Sequence, residues 1–166
     1  MELYLVRHAV AHKRDVDRWP DDSKRPLTIE GEERFRQAAE GIVGLVPEVG
    51  VVLSSPFIRA WQTAEILEQR GWPAPVPCEE LEPYCPPHKV LHALLAHHKD
   101  EERAALVGHR PGLHELASYL LTGHADGANV RIKKGGMVRL SFDGPPEPGA
   151  GYLEWLLAPK VLRALG

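Results

Sequence analysis

At 166 residues and 43% hydrophobic composition, the chain is long enough for one well-buried core and too short to favour two, so one domain over residues 1–166 is expected. Its 20 Lys and Arg against 23 Asp and Glu leave a formal charge of -3, which excludes a global field drawing it to nucleic acid or an anionic membrane. No apolar run approaches the roughly 18 residues of a membrane-crossing helix, and strand-like sequence begins within two residues of Met1 with no basic-then-apolar leader, so a cytoplasmic protein is expected.

Leu3-Tyr4-Leu5-Val6 reads as the first strand and ends on Arg7-His8. After a polar loop from Ala11 to Pro26, Thr28 can cap a helix whose early acids, Glu30, Glu32 and Glu33, suit the positive N-terminal dipole. Phe35, Ala38, Ala39, Ile42 and Val43 recur along it at three- and four-residue spacing, giving it an inward face, and Pro47 ends it. Val51-Val52-Leu53 is a second strand, followed by Ser54-Ser55-Pro56 and a helix running from Arg59 without a breaker until Gly71. From Trp72 to Pro87 six prolines favour an ordered irregular loop, and loops of that length in a compact domain are often functional.

Val90 to His98 reads as a short helix, Ala104 to Val107 as a third strand delivering Gly108-His109, and Pro111 to Leu121 as a helix with proline near its first position. Met137 to Phe142 and Tyr152 to Leu157, separated by a Gly/Pro-rich turn, read as an antiparallel hairpin at the sheet edge. Short apolar runs alternating with helical periods give an α/β class, a three-layer αβα domain with a mostly parallel sheet and an antiparallel edge strand. The two cysteines, Cys78 and Cys85, match no zinc or redox spacing and read as reduced thiols.

Ligands of open α/β sheets bind outside the carboxyl ends of the strands, where Arg7-His8, the Ser54 to Arg59 segment and Gly108-His109 all lie. Phosphoryl transfer needs cationic donors around the equatorial oxygens and an in-line nucleophile. The Arg7 and Arg59 guanidiniums with one imidazolium, His109, meet the first need, and neutral His8 is the better placed nucleophile. An acceptor must hold the other ring nitrogen of His8, and the sequence does not say which group does so. His92, His97 and His98 lack the ligand set and helical phase of a metal site, so no metal and no cofactor are expected. Arg131, Lys133 and Lys134 form a basic run before the hairpin, suited to a solvated face or to an acidic partner, and the direction of His12 is open.

Leu5-Val6-Arg7-His8-Ala9 resembles the Arg-His-Gly signature of the histidine phosphatase (phosphoglycerate mutase-like) superfamily, with Ala9 in place of glycine. Ser54 to Ala64 is similar to that superfamily's second-arginine segment and Val107-Gly108-His109 to its second-histidine segment, in the same order. The small size, Arg25-Pro26-Leu27-Thr28, Glu80-Leu81-Glu82-Pro83 and the Trp155 to Pro159 ending look most like SixA-type phosphohistidine phosphatases. The resemblance implies a phosphoglycerate mutase-like fold, phosphorylation of His8, phosphoryl oxygens held by Arg7, Arg59 and His109, and water attack on phospho-His8. It implies a phosphorylated substrate, with a phosphohistidine-bearing phosphotransfer protein as one form of it, and says nothing of oligomeric state.

One departure bears on the substrate. Many members carry a glutamate acid two places after the leucine in the proline-rich loop, where this chain has Pro83, flanked at a distance by Glu80 and Glu82. An alkoxide leaving group needs a proton donor, its conjugate acid having a pKa of roughly 15.7, whereas a protonated imidazole, with a pKa near 6.5, scarcely does. The sequence therefore favours phosphohistidine over an alkyl ester, with Glu80, Glu82 and Arg25 as further candidate substrate contacts. The alternatives are a broad phosphatase of small esters, a mutase, or a silent phosphate-binding module whose pocket the Ala9 methyl crowds.

Overall fold

The computed structural model describes Met1–Gly166. Its strands are β1 (Glu2–Arg7), β2 (Val51–Ser54), β3 (Val76–Pro77), β4 (Arg103–Gly108), β5 (Met137–Ser141) and β6 (Tyr152–Leu157). Its helices are α1 (Ile29–Leu45), α2 (Ile58–Glu68), α3 (Pro87–His98), α4 (Gly112–Thr122) and α5 (Pro159–Leu165), with 3-10 turns at Asp22–Lys24 and Glu79–Leu81. The six strands form one sheet in the order β3-β2-β4-β1-β5-β6. β1 pairs in parallel with β4, and β4 with β2, while β5 runs antiparallel to both β1 and β6. The antiparallel strand thus lies one place in from the edge, which β6 occupies as the outer arm of the expected hairpin.

Alternation along the strands divides the core into two layers, because successive side chains point to opposite faces of a sheet. Tyr4, Val6, Val52, Ala105, Val107 and Met137 pack with Phe35, Ala38 and Ile42 of α1, Ala60, Ala64 and Leu67 of α2, and Leu162 of α5. Leu3, Leu5, Val51, Leu53, Leu106 and Leu140 face the other way, onto Val90 and Leu94 of α3 and Leu113, Leu116 and Leu120 of α4. This is a three-layer αβα arrangement with a mostly parallel sheet. No helix is long and apolar enough to cross a membrane.

Local chemistry sets the ends. Thr28 caps α1, its Oγ1 accepting from Gly31 N–H at 2.9 Å, as oxygen-bearing caps do for the orphan donors of a first turn. α1 also starts hard against the chain leaving β1, with Thr28 N–H donating to Val10 O at 3.0 Å. A Cβ on Gly31 would fall 2.1 Å from that same oxygen, so only glycine allows the approach.

Two elements depart from expectation. The proline-rich segment is not wholly irregular, since Val76–Pro77 pairs with Leu53-Ser54 and Glu79–Leu81 coils into a 3-10 turn. The chain also ends in a helix, α5, opened by Pro159 at its first turn and anchored by the fully buried Leu162.

Candidate active site

β1 sits between β4 and β5, and this placement fixes the residue at its end. His8 N–H donates to Gly108 O at 3.0 Å, Arg7 N–H to Gly136 O at 3.1 Å, and Gly135 N–H to Arg7 O at 3.0 Å. Gly135 adopts φ +73, the left-handed region that favours glycine. The backbone of the Arg7-His8 pair is therefore bonded on both flanks, leaving its side chains little freedom to wander.

The His8 side chain is buried, and its Nδ1 lies 2.7 Å from Ala9 O. A carbonyl only accepts, so Nδ1 carries the proton and the lone pair rests on Nε2. This is the acceptor that sequence reasoning leaves unnamed, and no side-chain pattern could reveal it because it is a main-chain oxygen. Thr63 fixes the same residue from α2, its Oγ1 accepting from Ala9 N–H at 3.0 Å and donating to Arg59 O at 2.7 Å. The Ala9 methyl lies in the apolar layer with Phe35 and Ala38 and does not line the pocket, so it does not crowd a substrate.

A cavity of about 490 Å³ opens at the carboxyl ends of β1, β2 and β4, and Arg7, His8, Arg25, Arg59 and His109 all line it. The rings of His8 and His109 stand 5.1 Å apart. Arg7 Nη1 donates to Ile132 O at 2.9 Å. Arg59 Nη1 donates to Asp22 O at 2.8 Å, its Nη2 lies 3.0 Å from Asp22 Oδ2, and its guanidinium stacks over Phe57 at 4.9 Å. Arg25 holds the other carboxylate oxygen of Asp22, Nε to Oδ1 at 2.8 Å, and donates to His12 O at 2.6 Å. Asp22 is the one carboxylate in the pocket lining, and both guanidiniums keep it below the usual carboxylate range.

Ser55 orients the second histidine. Its Oγ accepts from Phe57 N–H at 3.3 Å and lies 2.9 Å from His109 Nε2, to which it can donate. That arrangement puts the His109 proton on Nδ1, which is buried with no protein partner. Arg7 Nε and Arg59 Nε are likewise buried and unpartnered. Arg70 and Arg139 share this property away from the pocket, so the weight falls on the convergence of the other three around one cavity. Buried polar nitrogens left without acceptors cost free energy and mark a place where an anion would supply them.

Burial pushes the His8 pKa well below 6.5, with the neighbouring His109 adding to the effect. Burial also lowers His109, to about 3, helped by Arg59, Arg25 and Arg7. Burial thus favours the neutral form of both rings. Its own burial and the surrounding guanidiniums disfavour the expected positive charge on His109, which a phosphoryl group among them would offset.

Glu80 and Glu82 are not brought to the cavity, which corrects their candidacy as substrate contacts. The 3-10 turn directs Glu80 to Cys78, whose Sγ lies 3.5 Å from Glu80 Oε2, while Pro83 and Tyr84 take up the pocket wall. Both cysteines are free, and burial pushes the Cys78 thiol up to about 12. No group of three or more His, Cys, Asp or Glu is placed to hold a metal ion. Asp22, Ser55 and Thr63 have structural parts in the site that sequence reasoning missed. The only signal was their position in the Asp22-to-Thr28 and Ser54-to-Ala64 segments.

Comparison with known proteins follows the same residues. The sequence model described as "Histidine phosphatase superfamily (branch 1)" matches residues 3–82, the part that carries Arg7, His8 and Arg59. An uncharacterized protein of Picosynechococcus sp. is 37% identical over 146 residues, covering 84% of each chain. The structure of the protein histidine phosphatase SixA complexed with tungstate superposes with a TM-score of 0.83 at 27% identity, over 98% of this chain and 99% of that one. A structure assigned as SixA from Agrobacterium tumefaciens gives a TM-score of 0.74 at 22% identity, over 95% and 98%, and bears on the fold alone.

Proposed function

The chain belongs to the histidine phosphatase superfamily and is a SixA-like phosphatase, and from that premise we propose that it hydrolyses phosphohistidine on a protein through a covalent phospho-His8 intermediate. The observation that carries the reading is the meeting of Arg7, Arg59 and His109 around one cavity with His8 held in the tautomer that frees Nε2.

His8 Nε2 attacks phosphorus in line, its bond to phosphorus forming as the substrate's N–P bond breaks and the electron pair returns to the departing imidazole. A leaving ring already protonated on its other nitrogen departs neutral, so no carboxylic acid is required. The pocket matches that requirement, because Asp22 is ionised and ion-paired and Pro83 stands where other members carry the acid. Arg7, Arg59 and His109 hold the oxygens as charge shifts through the transition state. Water then attacks phospho-His8, the Nε2–P bond breaks, and inorganic phosphate leaves with the water's proton. None of these steps uses a metal or cofactor.

The substrate is taken to be a phosphohistidine-bearing phosphotransfer protein of the cytoplasm. The SixA relative is complexed with tungstate, a tetrahedral oxyanion, which supports reading this chain's cationic cavity as an oxyanion site. The test is turnover of a phosphohistidine peptide in the presence of chelator, with trapping of labelled enzyme. Wild type is expected to release phosphate and to carry label on His8, and His8→Ala to do neither. Activity retained by His8→Ala sinks the reading. An alkyl phosphate turned over as fast as phosphohistidine removes the substrate assignment.

A further inference from the structure

The cavity holds more positive charge than one phosphoryl group can use. Arg7, Arg59 and His109 are at hand for its oxygens, and Arg25 is committed to Asp22. Four further cations, Lys13, Arg14, Arg110 and Lys134, line the same cavity, are exposed and form no ion pair with any carboxylate. They come from three separate connections, after β1, after β4 and before β5. In a chain of net charge -3, this concentration is local to the site.

The cavity does not end at the phosphoryl position. A second groove, of about 780 Å³, shares His12, Lys13 and Arg14 with it and continues past Asp15, Val16, Arg18 and Trp19; Asp15, its one carboxylate, turns Oδ1 to the Asp17 and Arg18 amides at 3.0 and 3.1 Å. Its wall is partly ordered by stacking, with the Arg18 guanidinium over Trp19 at 4.5 Å and Trp19 against the His12 ring at 5.0 Å. Apolar surface accompanies the charge. Val16 is 64% exposed, and Tyr84, on the cavity wall, is 78% exposed.

We propose that this basic groove, built on Lys13, Arg14 and Arg18 with Arg110 and Lys134 at the cavity mouth, binds acidic polypeptide flanking the phosphohistidine. The inference rests on the phosphohistidine reading and adds the character of the surrounding surface. A second phosphate on a small molecule would engage one compact cluster, whereas these cations are spread over three loops and extend beyond the cavity. The mixture of cations with exposed Val16 and Tyr84 fits a polypeptide surface, and paired opposite fields favour encounter and register.

The test compares two synthetic phosphohistidine peptides, one flanked by glutamates and one by glutamines, with phosphoramidate as a small substrate. Wild type is expected to show kcat/KM about tenfold higher for the acidic peptide, a gap that narrows as salt is added. Arg18→Glu, which lines the second groove and not the catalytic cavity, is expected to remove most of that preference while phosphoramidate turnover stays within about twofold. Thermal melting of the variant checks that it is folded. Equal rates for the two peptides in wild type overturn the proposal, as does a preference that survives the charge reversal. A bisphosphorylated sugar that outpaces the acidic peptide, and loses that advantage in the variant, assigns the cations to a second phosphate and also overturns it. Failure of the underlying function has a different signature: neither peptide nor phosphoramidate is hydrolysed, or His8→Ala hydrolyses them as well as wild type.

Discussion

Replacing Thr63 by valine keeps the shape of a fully buried side chain and removes one hydroxyl. That hydroxyl accepts from Ala9 N–H and donates to Arg59 O, and the next carbonyl along, Ala9 O, holds His8 Nδ1. Thr63→Val leaves the Ala9 amide buried without an acceptor, which costs about 1–3 kcal/mol. At roughly 2–4 °C per kcal/mol for a chain of this size, melting should fall by about 2–12 °C. The kinetic effect is separable. Arg59 keeps its two contacts to Asp22, at 2.8 and 3.0 Å, so the phosphate clamp survives. The Ala9 peptide that orients the His8 ring does not, and a nucleophile displaced by about 1 Å can lose on the order of 100-fold in rate. Steady-state kinetics on a phosphohistidine peptide, with phosphate as competitive inhibitor, should therefore show kcat down by about ten- to a hundredfold and phosphate affinity changed less than about threefold. Thr63→Ser, which restores the hydroxyl, should recover most of kcat. A valine variant with lowered melting but wild-type kcat would refute the argument that Thr63 orients the nucleophile through Ala9.

Ser55→Ala removes the donor that fixes the His109 tautomer, and calorimetric titration with phosphate should show affinity weaker by about five- to tenfold. Arg59→Lys keeps the charge, but one ammonium cannot serve both Asp22 contacts and a phosphoryl oxygen, so kcat/KM should fall by about 100-fold or more; a loss under fivefold would count against the clamp. His8 and His109 are buried neutral, so below pH 6.5 the unfolded chain takes up protons that the native state refuses. Their contribution to stability is complete above that value and is lost as pH falls toward the depressed folded values, about 3 for His109. At about pH 5.5 the His109 ring should cost on the order of 1.4 kcal/mol, and urea unfolding of His109→Gln should show the smaller acid loss. An equal loss in the variant would show that His109 does not contribute.

The strand ends were legible because each carries its own signal: an apolar run of three or four residues, then a polar residue or glycine. Such runs placed Arg7-His8, Ser54 and Gly108-His109 at one edge of the sheet without knowledge of strand order. The cap at Thr28 and the inward stripe of α1 were equally local. What stayed hidden depends on contacts between distant parts of the chain. His8 is oriented by a main-chain carbonyl, His109 by Ser55 and Ala9 by Thr63, the last two across 54 residues of sequence. Asp22 looked like loop sequence because its partner Arg59 lies 37 positions on. α5 escaped because Pro159-Lys160-Val161 gives too few turns for a period to show. The ionisation of His109 could not be read at all, since it depends on how deeply the fold buries the ring.

The flanking of β1 by β4 and β5 has a consequence for how the protein comes into being. The two residues at the end of β1 are made a hundred or more positions before their backbone partners Gly108, Gly135 and Gly136. Their strand is thus left with two bare edges until most of the chain has left the ribosome, and order at His8 must await contacts of high sequence separation. Phosphatase activity is then a late event in folding, and its onset in a refolding experiment reports closure of the sheet around its oldest strand.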